Sequence, residues 1–142
     1  MEILRYRSRI SGPLLDRIDL HIEVPPLKYR ELAGEGGGEP SAVIRERVRR
    51  AHQIQQERFK KTKIFYNAHM TSRHLKRYCQ VGEEGQRLLE AAMERLGLSA
   101  RAYDRILKVA RTIADLAGSE AIHPEHLAEA IQYRSLDRTP RW

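Results

Sequence analysis

The chain has one cysteine, Cys79, in 142 residues. That excludes an internal disulfide framework and a cysteine-rich zinc site built within one chain, and it fits a reducing compartment. No stretch approaches the ~18 apolar residues that a membrane span needs. Arg5, Arg7 and Arg9 stand near the start, but no apolar segment follows them as a secretory leader requires. There is no G-x-x-x-x-G-K-[ST] phosphate loop and no G-x-G-x-x-G fingerprint. The triple glycine at 36–38 runs into Glu39 and Pro40 with no lysine to reach a phosphate, so it reads as a linker. Of the six histidines (His21, His52, His69, His74, His123, His126), His123 and His126 have i,i+3 spacing but straddle a helix start. His69 and His74 are five apart across another. Neither pair has a third ligand in view, and capping or surface roles are the expectation. Cys79 has no catalytic signature around it and reads as a buried structural thiol. Nothing here describes a self-contained enzyme.

What is present is charge. Lys and Arg number 26 against 19 Asp and Glu, giving +7 and a pI near 9.9. The excess is local: residues 41–63 carry eight basic and two acidic side chains, and residues 64–80 add Arg73, Lys76 and Arg77 without an acid. Such a field attracts polyanions, nucleic acid first; a solvated helix face is the other reading. The candidate DNA contacts are Arg45, Arg49, Arg50, Lys60, Lys61 and Lys63.

Hydrophobic residues make up 41%, and a chain of this length buries roughly 70% of its unfolded surface. One domain, or one domain plus a piece of another, is expected. Residues 18–24 alternate apolar and polar, which predicts a half-buried strand with Ile18, Leu20, Ile22 and Val24 on one face. Pro25 and Pro26 stop it. Ser11-Gly12-Pro13 signals a turn, and residues 14–17 form one helical turn. Residues 34–40 hold four of the nine glycines. Ser41 reads as the N-cap of a long basic helix to about Lys60, with Ile44, Val48, Ala51 and Gln55/Phe59 on its apolar side. Thr71 or Ser72 caps a shorter helix to about Cys79. Another helix runs from Gly82 to Leu96, with Leu88, Leu89, Ala92, Met93 and Leu96 inward and Gly97 ending it. Ser99 caps a helix to about Ala117, closed by Gly118. Its apolar face is Ile106, Val109, Ala110, Ile113, Ala114 and Ala117, with Arg101, Arg105, Lys108 and Thr112 along the opposite stripe. Pro124 opens the last helix, which runs to about Tyr133. The fold is therefore mainly α, with a lone strand that has no partner, a sign that the strand belongs to a larger sheet.

Two arginines stand apart. Arg17 ends the turn before the strand, and Arg101 lies in the first turn of the Ser99 helix. The dipole there favours anions, so Arg101 reaches something negative: a phosphate, or the acidic helix at 82–96.

Arg-Ile-Ser-Gly-Pro-Leu-Leu-Asp-Arg-Ile-Asp-Leu at 9–20 and Leu-Ser-Ala-Arg-Ala-Tyr-Asp-Arg-Ile-Leu-Lys-Val-Ala-Arg-Thr-Ile-Ala-Asp-Leu at 98–116 resemble the C-terminal part of the magnesium chelatase-like AAA+ ATPases, the ComM/YifB group. Between them, Val48, Ala51, Gln55 and Arg58 resemble the family's helix motif and Asn67-Ala68 its following loop. His123-Pro124, Leu127, Glu129-Ala130-Ile131 and Tyr133-Arg134 resemble its last helix. His52 departs from the pattern, where Arg is usual, and Asp104 stands where His is expected. The resemblance implies an AAA+ C-terminal helical lid at 41–134. It is preceded by the tail of the α/β ATPase core at 1–30 and a Gly-rich linker at 31–40, and followed by a tail at 135–142. It implies that Arg17 is the arginine finger acting in trans on a neighbouring subunit's nucleotide, and that Arg101 is the sensor-2 arginine reaching its own. Guanidinium forks suit both roles. The implied parent uses ATP and Mg²⁺, forms a homo-oligomeric ring, expected as a hexamer, and works in the bacterial cytoplasm on DNA as a branch-migration helicase. The fragment alone, without Walker motifs, is expected to bind neither cofactor nor membrane and to hydrolyse nothing. A stand-alone basic helical DNA-binding module, or a pure interaction lid, are the other readings.

Overall fold

The computed structural model describes residues 5–6, 9–26 and 38–134. Most of the expected linker and the tail at 135–142 lie outside the described residues. Among the described residues the chain runs through the helices α1 (Gly12–Arg17), α2 (Ser41–Phe59), α3 (Ser72–Tyr78), α4 (Glu83–Leu96), α5 (Ala100–Leu116) and α6 (Pro124–Gln132). A 3₁₀ turn, Asn67–His69, lies between α2 and α3.

Local chemistry sets most boundaries. Ser99 Oγ accepts the Ala102 N–H at 3.1 Å and opens α5. Gly97 adopts φ +59° and closes α4, and Gly118 adopts φ +69° just beyond α5; both are left-handed positions that favour glycine. Before α3, the Thr71 N–H donates to His74 Nδ1 at 3.2 Å. Before α6, the His123 N–H donates to His126 Nδ1 at 3.0 Å. Each histidine thus plays the part of the acidic residue in a capping box. One boundary differs from expectation: Pro40, not Ser41, is the N-cap of α2. Its extended backbone (φ −60°, ψ 139°) puts its carbonyl where it accepts from Val43 and Ile44, and Ser41 is already helical.

Helix α5 is the axis of the bundle. Ala102, Ile106, Ala110 and Ala114 along it are almost fully buried. Three of the four are alanines, so α2, α3, α6 and the 3₁₀ turn pack against α5 closely. Leu75, Leu89, Leu127 and Ile131 complete the core, with Leu88, Leu96, Val109 and Ile113 packed at its edge. Gly85 lets α4 approach α6: a Cβ there would stand 2.7 Å from Leu127 Cδ1. Only the second half of α2 belongs to the core. Ala51, Gln55 and Phe59 are buried, whereas Ile44 and Val48, expected inward, are exposed because no described residue covers them before Ala51.

A polar network lies inside this apolar frame. Asp115 on α5 has a side chain with no exposure. Arg58 near the end of α2 grips it with both terminal nitrogens, Nη1 to Oδ2 at 2.7 Å and Nη2 to Oδ1. Arg58 Nη1 also donates to Asn67 Oδ1 at 3.0 Å, and Asn67 Nδ2 donates to Asp115 Oδ2 at 2.8 Å and to Thr112 Oγ1 at 3.1 Å. The Asn67 N–H donates to Gln55 Oε1 at 2.9 Å. Arg111, one turn before Asp115, sets its Nε 3.2 Å from Oδ1 and sends its other nitrogens to the carbonyls of Glu120 (2.8 Å) and Ser119 (2.7 Å). Burial lowers the Arg111 pKa while the Asp115 charge opposes the shift. Gln55, Arg58 and Asn67, which carried part of the family resemblance, therefore act together as one structural unit.

The strand expected at 18–24 does not form. Among the described residues the sole ladder contact is an isolated parallel bridge, Val81 with Ile122. Residues 18–26 run without helix or strand, and their alternation is inverted with respect to the bundle. His21 is buried, and Ile22 and Val24 are 69% and 83% exposed. The polar side docks because it finds partners: the His21 N–H donates to the Tyr133 carbonyl at 2.7 Å, His21 Nε2 donates to the Leu15 carbonyl at 3.2 Å, and buried Arg134 donates to the Ile18 carbonyl. The apolar row of a strand needs a neighbouring sheet, and no described residue supplies one.

Asp115→Ala leaves two guanidinium groups in the interior without their shared anion. It should cost about 3–5 kcal/mol, measured as a lower urea midpoint in a far-ultraviolet circular dichroism titration. A midpoint unchanged from wild type would show that the network carries no net stability.

Candidate functional site

The two arginines singled out in the sequence meet at one corner of the bundle. Asp16 and Arg17 close α1. Asp16 Oδ1 accepts from Ser99 Oγ at 2.8 Å and lies 3.7 Å from Arg134 Nη2. Ser99 is the cap of α5, and Arg101 is in the first turn of that helix. A further clip, the Arg105–Asp19 ion pair, stands one turn along. Arg17 and Arg101 are thus one residue and two residues along the chain from the two ends of the Asp16–Ser99 hydrogen bond. Both are exposed. Neither has a hydrogen bond or ion pair with a described residue, so the ion pair between Arg101 and the acidic helix is not formed. Glu83 of that helix instead lies 3.6 Å from Arg87.

Arg101 lines a groove of about 600 Å³ between the 19–22 segment, α5 and the end of α6. The α5 stripe read from the sequence forms one wall: Arg101, Arg105, Lys108 and Thr112 all face it. Its charges balance. Three cations, Arg101, Arg105 and Lys108, meet three carboxylates, Asp19, Asp104 and Glu129. Lys108 also donates to the Ala68 carbonyl at 3.1 Å, and Glu129 accepts from the Tyr133 hydroxyl at 3.0 Å, which raises the Tyr133 pKa. Arg101 is the one cation of the groove with no protein partner among the described residues.

The basic run occupies α2 and the loop after it, and all six candidates, Arg45, Arg49, Arg50, Lys60, Lys61 and Lys63, are exposed. At 3.6 residues per turn, Arg45, Arg49 and Lys60 share one stripe and Arg50 lies about 100° round from Arg49. Arg49 and Arg50 both pair with Glu46, at 3.0 and 3.2 Å, and Lys60 pairs with Glu57. These pairs are solvent-exposed and hold the cations weakly. The hydrogen bonds from Arg49 and Arg50 lower the Glu46 pKa.

No three His, Cys, Asp or Glu among the described residues gather to hold a metal ion, and no described helix is long and apolar enough to cross a membrane. The sequence reading missed Asp16, Asp19 and Arg134, the residues that fix the Arg17 turn to the bundle. Their only signal was a pair of acids spaced three apart beside a strand-like pattern.

The mainly helical bundle is that of a C-terminal helical lid domain. Residues 38–134 match the family described as "Magnesium chelatase, subunit ChlI C-terminal", and residues 1–32 match "Magnesium chelatase, subunit ChlI". The chain belongs to this family, in its C-terminal part. It is 49% identical over 138 residues to "Competence protein ComM" of Haemophilus influenzae, covering 96% of this chain and 26% of that protein. With the same coverage, it is 44% and 42% identical to YifB of Salmonella typhimurium and of Escherichia coli. The chain thus spans about a quarter of the length of these relatives.

Cys79 is buried, and burial pushes its thiol up to about 12 from an ordinary value near 9.0. The neutral thiol is the form the fold accommodates. The unfolded chain therefore loses this proton first, and stability from this group falls as pH rises from about 9 towards about 12. Iodoacetamide at pH 8 should leave Cys79 unmodified in the native chain and alkylate it fully in guanidinium chloride, read by mass spectrometry. Rapid native alkylation would contradict the assignment of a buried thiol.

Proposed function

We propose that the chain is the lid portion of an ATP-dependent AAA+ ring motor of the magnesium chelatase-like, ComM type, and that the motor acts on DNA as a branch-migration helicase in natural transformation. The observation that carries this reading is the Asp16–Ser99 hydrogen bond, which joins the turn that carries Arg17 to the start of the helix that carries Arg101. The backbone that carries two exposed arginines, neither with a partner among the described residues, is held there by buried and capping residues. Such groups are poised for an anion outside this bundle. In this reading Arg17 is the finger that reaches the nucleotide of the neighbouring subunit, and Arg101 is the sensor-2 arginine of its own. Residues 1–30 are the end of the ATPase core, 31–40 the linker, 41–134 the lid and 135–142 a tail.

The groove bears on how ATP is held. Its three carboxylates oppose a polyphosphate, so it is not a phosphate cradle, and the residues fit one contact, from Arg101. The phosphate loop, the Mg²⁺ site and the rest of the pocket belong to the upstream core of the parent, which supplies the phosphoryl chemistry. This chain's share is charge: Arg101 draws the lid towards the nucleotide, and Arg17 meets negative charge as it spreads over the transferring group. The partners are the chain's own core, its ring neighbours and DNA, in the bacterial cytoplasm. A second reading, a stand-alone DNA-binding module with no nucleotide role, draws on the α2 stripe, which lies on a helix whose first half projects beyond the core.

In the full-length ring, Arg17→Ala and Arg101→Ala should each lower ATP turnover by on the order of 10³-fold without unfolding the protein. Nucleotide binding should survive the first change and weaken in the second. Mixing Arg17→Ala subunits with subunits dead in the phosphate loop should restore part of the turnover, because some sites then combine two intact halves. The same mix with Arg101→Ala should restore none. Full activity in either single variant would refute that arginine's role.

DNA affinity should fall steeply with salt, with a slope of about −0.9 per phosphate contact. Lys60→Glu, Lys61→Glu and Lys63→Glu together should weaken binding in fluorescence anisotropy. An unchanged affinity would return the basic run to the status of a solvated face.

A further inference from the structure

The loop after α2 exposes two large aromatic rings among its cations. Phe65 is 65% and Tyr66 41% exposed. The Tyr66 ring centroid lies 5.3 Å from that of His52 on α2 and 5.6 Å from that of His69 in the 3₁₀ turn, so the three rings form one cluster at the surface. It is held rigidly. Tyr66 is the residue that caps the turn, and Asn67, next in the chain, is locked into the buried network by Gln55 and Asp115. On the other side, Thr62 Oγ1 donates to the Phe59 carbonyl at 2.8 Å and accepts from the Ile64 N–H at 3.3 Å. The Tyr66 ring, packed on His52 and His69, therefore does not have to be ordered when something binds it.

The basic stripe runs through this cluster. Arg45, Arg49, His52, Gln56 and Lys60 are spaced four, three, four and four apart, which places them on one face of α2. His52 is in the middle of the stripe and Tyr66 leans on it. Lys61 and Lys63 follow on the loop, exposed and without an ion pair among the described residues. A protein-docking patch would surround its aromatic centre with further apolar surface. Here one exposed apolar side chain, Val48, lies a turn before His52, while Arg49, Lys60, Lys61 and Lys63 put cations along the same stripe and loop. That combination matches a ligand with flat apolar faces strung on an anionic backbone. Unpaired nucleotides present it, whereas in a duplex the faces are hidden in the stack.

We propose that Tyr66, His52 and His69 form a stacking platform for the unpaired bases of single-stranded DNA, with exposed Phe65 as a further ring on the same loop and the α2 stripe and Lys61 and Lys63 tracking its phosphates. This rests on the reading of the motor as acting on DNA and names the form of DNA that this surface takes.

The test is fluorescence anisotropy of the 142-residue chain with labelled oligothymidylate of about 20 nucleotides and with a duplex of the same length. Phe65→Ala with Tyr66→Ala should lower affinity for the oligothymidylate by about ten- to a hundredfold, leave the duplex within about twofold, and leave the salt slope unchanged. Tyr66→Phe should retain wild-type affinity for both. Should the double variant lose its helical circular dichroism, Tyr66→Ala alone must show the same selective loss. Equal loss on both probes, or no loss on either, overturns the platform while the charge-based reading of DNA binding stands. If the wild-type chain binds the duplex but not the oligothymidylate, the platform is likewise overturned. If it binds neither probe, the DNA reading fails and takes the platform with it.

Discussion

The carboxylate of Asp115 organises the bundle. It is shut off from solvent, a position in which a single negative charge is costly, and it is tolerated because Arg58, Arg111 and Asn67 converge on it. Those partners come from different segments: the end of α2, the turn before α3, and α5 itself. Arg111 extends the set to the carbonyls of residues 119 and 120, before α6. Apolar contacts along an alanine-rich helix are non-directional, and neighbours could slide along it at little cost. A planar guanidinium gripping a carboxylate through two nitrogens fits at one setting only. The network therefore sets the register of segments that the core merely brings together.

That division explains what could be read in advance. Helices α4, α5 and α6 announce themselves through local chemistry: Gly97 and Gly118 in left-handed positions, Ser99 as a cap, and Pro124 in a first turn. The network does not, because Arg58 and Asp115 are 57 residues apart and nothing in a one-dimensional period pairs them. A trace was present in Gln55 and Arg58, polar residues on or beside the side of α2 that carries Ala51 and Phe59. The 18–24 segment shows the opposite case. Alternation was real, but period two says only that two faces differ, not which one finds a partner. Arg105, Tyr133 and Arg134 engage the polar groups, so the apolar side chains turn out.

The candidate site was legible in pieces. Arg17 and Arg101 could be singled out, one by its place at the end of a turn and the other by its mismatch with a helix dipole. That they share a corner depends on Asp16 meeting Ser99, 83 residues on. The balance of charge in the groove was equally invisible, since its carboxylates come from the 19–22 segment, α5 and α6. The basic run looked uniform as text. Helical geometry divides it, lining up Arg45, Arg49 and Lys60 and sending Arg50 elsewhere, and Tyr66 at the start of the 3₁₀ turn meets both His52 and His69.

The segment carrying Arg17 is attached to the bundle at separate places: Asp16 on the cap of α5, Asp19 on Arg105 one turn along, and Ile18 and His21 at the end of α6. An instrument maker would recognise a kinematic mount, in which three points that do not share a line remove every rotational freedom. A mirror on such a mount keeps its aim relative to its base and swings when the base swings. Arg17 is the mirror here and the bundle the base. The backbone at Arg17 has no steering of its own at this end, and a tilt of the bundle of a few degrees tilts the base of the Arg17 side chain by the same angle.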